Sequence, residues 1–131
     1  MTNRSSRRLV PGIAFSLALL ISAAAGQDAP KRLELKAGGP AVIVKGEVTK
    51  GKDVVYVFAA KAGQKFSGRI TRKEGNTGFE VSDPDGQGLP EEEYDFNTGL
   101  NGTLPKTGDY KVIVSTFETR ASQYTISLKV F

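Results

Sequence analysis

The densest cluster of reactive side chains is the run Glu91-Glu92-Glu93-Tyr94-Asp95. Two carboxylates can divide acid and base roles at a glycosidic bond, but that chemistry needs a cleft that holds them at a fixed separation. Consecutive carboxylates with no such cleft point to a charged, solvated surface. A second group, Asp83-Pro84-Asp85-Gly86, offers oxygens to a cation. It lacks the spacing of an EF-hand loop and the glutamate that closes one, so a turn is expected there. The chain has no Cys and no His. Thiolate and imidazole ligands, disulfides and His-based triads are therefore excluded. The residues describe a binding protein that is not an enzyme and that needs no metal or cofactor.

Charge is unevenly distributed. Residues 1–25 hold three Arg and no acid, and a 13-residue apolar stretch, 9–21, follows the basic start. The small residues Ala23 and Ala25 suit cleavage after Ala25, so 1–25 reads as a secretory signal peptide. The apolar stretch is shorter than the roughly 18–20 residues that span a bilayer. No stable membrane insertion is expected after cleavage, and the protein is expected in the periplasm or secreted. The rest of the chain keeps fifteen basic residues against fourteen acidic ones. That balance removes the main support for a nucleic-acid partner. Between Glu74 and Pro105 there are eight acids and no Lys or Arg. Such a stretch either keeps loops and strand edges soluble or steers a cationic protein partner.

The elements that carry these groups read as short strands. Residues 26–40 form a polar leader or a first edge strand, in which Leu33 and Leu35 alternate with Glu34 and Lys36. Strands are expected over 41–48, 53–59, 65–72, 77–82, 92–98, 109–116 and 122–130. The last two are the plainest: Tyr110, Val112 and Val114 alternate with Lys111, Ile113 and Ser115, and Tyr124, Ile126, Leu128 and Val130 alternate with Thr125, Ser127 and Lys129. Period-two alternation of β-branched and aromatic residues marks a half-buried strand. Gly-containing turns separate the runs. The fold class that follows is all-β: a single antiparallel β-sandwich of seven to eight strands over 41–131, its core filled by Phe and Tyr.

Leu104-Pro105-Lys106-Thr107-Gly108 matches a cell-wall sorting signal, but alternating strand residues follow it rather than a membrane-length apolar segment. Its Pro and Gly are expected to shape the turn before the Tyr110 strand. Asn101-Gly102-Thr103 reads as a turn tripeptide.

Two stretches carry a family resemblance. One runs Tyr56-Val57-Phe58-Ala59-Ala60-Lys61-Ala62-Gly63-Gln64-Lys65-Phe66. The other places Leu104-Pro105, Gly108 and Tyr110 ahead of a strand, followed by Tyr124-Thr125-Ile126-Ser127-Leu128. Together, over 41–130, they resemble the bacterial pre-peptidase C-terminal domain. Within that group the chain resembles the periplasmic inhibitors of goose-type lysozyme. The resemblance implies loops at one end of the sandwich that enter a lysozyme cleft. The loop between the last two strands, with Glu118, Thr119 and Arg120, is the implied plug. The acids Glu91, Glu92, Glu93 and Asp95, with Tyr94, would face the cationic enzyme. Thr103, in an expected loop over 97–103, is the second place to look. The alternative is a free-standing domain of the pre-peptidase type that binds a carbohydrate, a cell-wall polymer or another protein.

Overall fold

The structure, a computed structural model, describes residues 29–73 and 75–131, with the backbone alone for Glu91 and Glu92. The expected signal segment lies outside the described residues. Nine strands are present among them: β1 (Lys31–Arg32), β2 (Val42–Val48), β3 (Val54–Ala60), β4 (Lys65–Arg72), β5 (Thr77–Ser82), β6 (Glu91–Asp95), β7 (Gly99–Thr103), β8 (Gly108–Thr116) and β9 (Ser122–Val130). They form a four-stranded sheet, β1-β3-β8-β5, and a five-stranded sheet, β2-β9-β4-β7-β6. The fold is an all-β sandwich.

Alternation explains which side of each strand is buried. On β8, Tyr110, Val112 and Val114 are fully buried, and on β9 so are Ile126 and Leu128, with Tyr124 nearly so. The two strands lie in opposite sheets, so these rows face each other across the core. Phe58 stacks on Phe66 and on Tyr110, with ring centroids 5.3 and 5.5 Å apart. That aromatic line crosses from one sheet to the other.

Three expectations are corrected. The strand expected over 92–98 ends at Asp95 and 96–98 turn, and the strand count is nine because residues 99–103, expected in a loop, form β7, paired with β4 on one side and β6 on the other. Its Gly-Leu-Asn-Gly-Thr sequence has weak strand propensity, and the two neighbouring strands supply what it lacks. The sandwich is also not wholly antiparallel. Lys31 and Arg32 pair with Tyr56 and Val57 in a short parallel bridge, while Leu33 and Leu35 pack against the core just beyond it. Third, the aromatic residues do not all fill the core. Phe117 and Phe131 are exposed, since each falls outside an inward-facing position at a strand end.

The topology converts the uneven charge of the sequence into an uneven surface. The acidic stretch supplies β5, β6 and β7, which form one flank of the sandwich. The two sheets join along that flank: the Phe79 N–H donates to the Phe96 carbonyl at 3.1 Å, and the Tyr94 hydroxyl donates to the Phe79 carbonyl at 3.0 Å. Among the described residues the lysines and arginines lie on the remaining strands and loops.

Candidate functional site

The implied plug is the connection between β8 and β9, residues 117–121. A buried hydroxyl cluster sits at its base. Thr77 Oγ1 lies 2.8 Å from Thr116 Oγ1 and donates to Ser122 Oγ at 2.7 Å. The three residues come from β5, β8 and β9, so the cluster ties both sheets together below the loop. All three are almost fully buried, and mutual hydrogen bonding is what makes that burial tolerable.

The loop itself is braced. The Glu118 N–H donates to Thr116 Oγ1 at 3.1 Å. The Phe117 N–H donates to the Asn76 carbonyl at 3.0 Å, and the Asn76 N–H donates back to Glu118 Oε2 at 2.9 Å. Phe117 packs on Phe96 of the β6–β7 turn, with ring centroids 5.9 Å apart. That turn is held in its own right: Arg72 Nη1 donates to the Asn97 carbonyl at 2.6 Å, and Asn97 Nδ2 donates to the Thr77 carbonyl at 3.2 Å. Three connections therefore form one hydrogen-bonded end of the sandwich.

Thr119 and Arg120 stand exposed at the tip. Among the described residues Arg120 has no ion-pair or hydrogen-bond partner. The neighbouring turn after β2, closed by the Thr49–Lys52 bridge, brings Lys50 and Lys52 to the same end, because Val48 pairs with Ser122 and Val54 with Val114. Glu118 differs from its neighbours: its carboxylate is committed to the Asn76 backbone, so it holds the loop rather than offering itself to a partner.

The acidic run is on a strand, not on a loop. Glu91, Glu92, Glu93, Tyr94 and Asp95 make up β6, the outer edge of the five-stranded sheet, with a register shift between Glu91 and Glu93. Asp95 pairs with Gly99 at the end where Arg120 lies, whereas Glu91 pairs with Gly102 toward the opposite end. Glu93 Oε1 accepts from Asn101 Nδ2 at 2.8 Å, and Tyr94, itself exposed, donates its hydroxyl to the Phe79 carbonyl on the β5 edge. Thr103 pairs with Lys65 at the end remote from Arg120. The fold therefore brings Arg120, Thr119 and Asp95 to one end and leaves Thr103 at the other.

Sequence reasoning missed the hydroxyl cluster and the packing of exposed Phe117 on half-buried Phe96. Thr77, Thr116 and Ser122 each read as an ordinary polar residue at a strand terminus, and only the pairing of β5 with β8 brings Thr77 to Thr116.

The remote end is a structural lock. Asp83 Oδ1 accepts from the N–H groups of Asp85 and Gln87 at 2.8 and 2.9 Å, and its other oxygen lies 3.3 Å from Lys106 Nζ. Lys106 also pairs with Asp85. The Gln87 N–H is the chief influence that holds the Asp83 carboxyl below the usual carboxylate range; burial opposes it, and Asp85 N–H and Lys106 add to it. Tyr110 Oη donates to the Lys106 carbonyl at 2.6 Å and accepts from the Lys106 N–H at 2.8 Å. The residues of the apparent sorting motif are thus turn and core. Among the described residues no group of three or more His, Cys, Asp or Glu is arranged to hold a metal ion. No helix among them is long and apolar enough to cross a membrane.

The fold matches that of solved proteins, among them these three. PliG of Aeromonas hydrophila, a periplasmic lysozyme inhibitor of g-type lysozyme, is 21% identical with a TM-score of 0.58, over 79% of this chain and 100% of that one. PliG of Salmonella Typhimurium, of the same description, is 20% identical with a TM-score of 0.57 and the same coverage. The pre-peptidase C-terminal domain of collagenase from Bacillus anthracis is 17% identical with a TM-score of 0.61, over 77% of this chain and 95% of that one. At these identities the likeness is one of fold. No family model matches the chain, and no curated protein matches it.

Proposed function

We propose that this chain is an exported, non-enzymatic binding domain that inhibits a goose-type lysozyme by placing loop 117–121 in the enzyme's cleft. The observation that carries the reading is Arg120: a cationic side chain, exposed and unpaired among the described residues, on a short loop whose base is fixed by Thr77, Thr116 and Ser122. A rigid loop loses little entropy on binding, and an Arg that becomes desolvated against a carboxylate is a typical hot spot. Glu118 braces the loop, and Thr119 lies beside the proposed contact. The fold shared with two PliG inhibitors supports the assignment.

The acidic flank has a separate part in this reading. Glu91, Glu92, Glu93 and Asp95 steer a cationic enzyme toward the loop end, an effect on association that salt screens. The periplasm or the extracellular space is the proposed location, in keeping with the signal segment read from residues 1–25.

Surface-binding kinetics against a goose-type lysozyme test the division of labour. Arg120→Ala is expected to speed dissociation, with a loss of about 2 kcal/mol or more. The triple variant Glu91→Gln, Glu92→Gln, Glu93→Gln is expected to slow association and to flatten its salt dependence. Binding that survives Arg120→Ala unchanged removes the loop from the site.

A further inference from the structure

The outer face of the five-stranded sheet is used neither by the core nor by the proposed plug. Register lays its side chains out in rows. Lys45 lies beside Thr125, and Thr125 beside Thr71. Ile43 lies beside Ser127, and Ser127 beside Arg69, whose side chain leans over the bare Gly99 of β7. Lys129 lies beside Ser67, and Ser67 beside Asn101. Beyond β4, the Lys73 N–H donates to the Gln123 carbonyl, which continues the pattern by one more row.

Two open depressions interrupt this face, one toward each end. The first, about 670 Å³, is lined by Lys45, Thr71, Lys73, Gln123 and Thr125, with Glu47 on its β2 rim. The second, about 460 Å³, is lined by Lys65, Ser67, Asn101 and Phe131. Phe131 is exposed and carries the Lys129 ammonium 5.0 Å above its ring. Among the described residues Lys45, Arg69 and Lys73 have no ion-pair partner.

We propose that this face binds a linear acidic polysaccharide, laid along β9 and β4 from one depression to the other. Its carboxylates or sulfates meet Lys73, Lys45, Arg69 and Lys129. Its hydroxyls meet the hydroxyl and amide side chains of Thr71, Thr125, Ser67, Ser127, Gln123 and Asn101. The alternation of cations with hydrogen-bonding groups separates this face from a plain charge patch. A nucleic acid fits it less well. Single strands are held by successive aromatic rings, and here Phe131 is the one aromatic ring on the described face. Duplex grooves are read by a projecting helix or ribbon, and this face is a pleated sheet. The acidic β6 at the far edge confines an anionic polymer to the β2, β9 and β4 side. The inference is independent of the lysozyme reading.

The test is binding of the exported protein to immobilised heparin at physiological salt. Residues beyond the signal are nearly balanced in charge, so retention must come from a local patch. The triple variant Lys45→Gln, Arg69→Gln, Lys73→Gln is expected to lose about ten-fold or more in affinity, and the salt dependence should flatten with it. A control triple, Lys31→Gln, Lys61→Gln, Lys111→Gln, removes the same charge from elsewhere and is expected to bind nearly as wild type does. Polygalacturonate should compete, and duplex DNA of equal charge should compete poorly. Failure of the wild type to bind, equal losses in both triples, or equal competition by duplex DNA each overturns the proposal. Thermal melting verifies that both triples are folded; if the first is not, the single variants Lys45→Gln and Lys73→Gln carry the same comparison.

Discussion

The hydroxyls of Tyr56 and Tyr124 lie 2.7 Å apart in the core, one from each sheet, and share a buried hydrogen bond between the two layers. Tyr124 lies directly over Gly46 of β2: a Cβ at Gly46 would come 2.5 Å from the Tyr124 hydroxyl and 2.8 Å from the ring carbon that bears it. The glycine is there because the ring needs the space. Burial first, and the Tyr56 hydroxyl second, push the Tyr124 phenol far above its ordinary value.

Tyr124→Phe leaves the Tyr56 hydroxyl without its partner and should cost about 1–3 kcal/mol in chemical denaturation. Removing both hydroxyls should cost less than the sum of the single changes, because neither is then left unpaired. Gly46→Ala should cost about 1–3 kcal/mol by overpacking, and part of that cost should disappear in the Tyr124→Phe background.

Thr77→Val is expected to cost about 1–3 kcal/mol, since Thr116 and Ser122 lose their shared hydroxyl partner in the interior. The same change loosens the base of loop 117–121. Hydrogen exchange of the Phe117 and Glu118 amides should quicken more than that of β3, which lies outside the cluster.

Stability should fall on acidification in a way that traces to Asp83. Its carboxyl titrates below that of an unfolded Asp, so the ionised form stabilises the fold above about pH 4. That contribution is lost as the pH falls through the folded value. Melting temperature measured from neutral pH down to about pH 3 should decline for the wild type and decline less for Asp83→Asn, which starts from a lower value at neutral pH.

Leu128→Ala should cost about 2–5 kcal/mol, because Leu128 is fully buried between the sheets. A variant that melts like wild type would contradict the inward orientation of β9.

The sandwich was legible wherever one face of a strand is buried and the other is wet. On β9, Tyr124, Ile126, Leu128 and Val130 alternate with Gln123, Thr125, Ser127 and Lys129, and the core follows from that pattern alone. β7 was not legible: two of its five residues are Gly, and its strand conformation comes from pairing with β4 and β6. The expected leader or first edge strand over 26–40 reduces to the two-residue β1, whose bounds are set by its pairing with β3 rather than by its own composition. At the candidate site, the loop and its Arg120 could be read from the order of strands and the family resemblance. What holds that loop could not. Thr77 is 39 residues from Thr116 and 45 from Ser122, and no local pattern links hydroxyls across such distances. The edge position of Glu91–Asp95 was likewise set by sheet order rather than by its own composition.

Inhibition is measured most directly as the rate at which a goose-type lysozyme clears a cell-wall suspension in the presence of the purified protein. The expected result is dose-dependent inhibition by the wild type at micromolar concentration or below, weakened by Arg120→Ala. Full lysozyme activity at micromolar wild-type protein would contradict it.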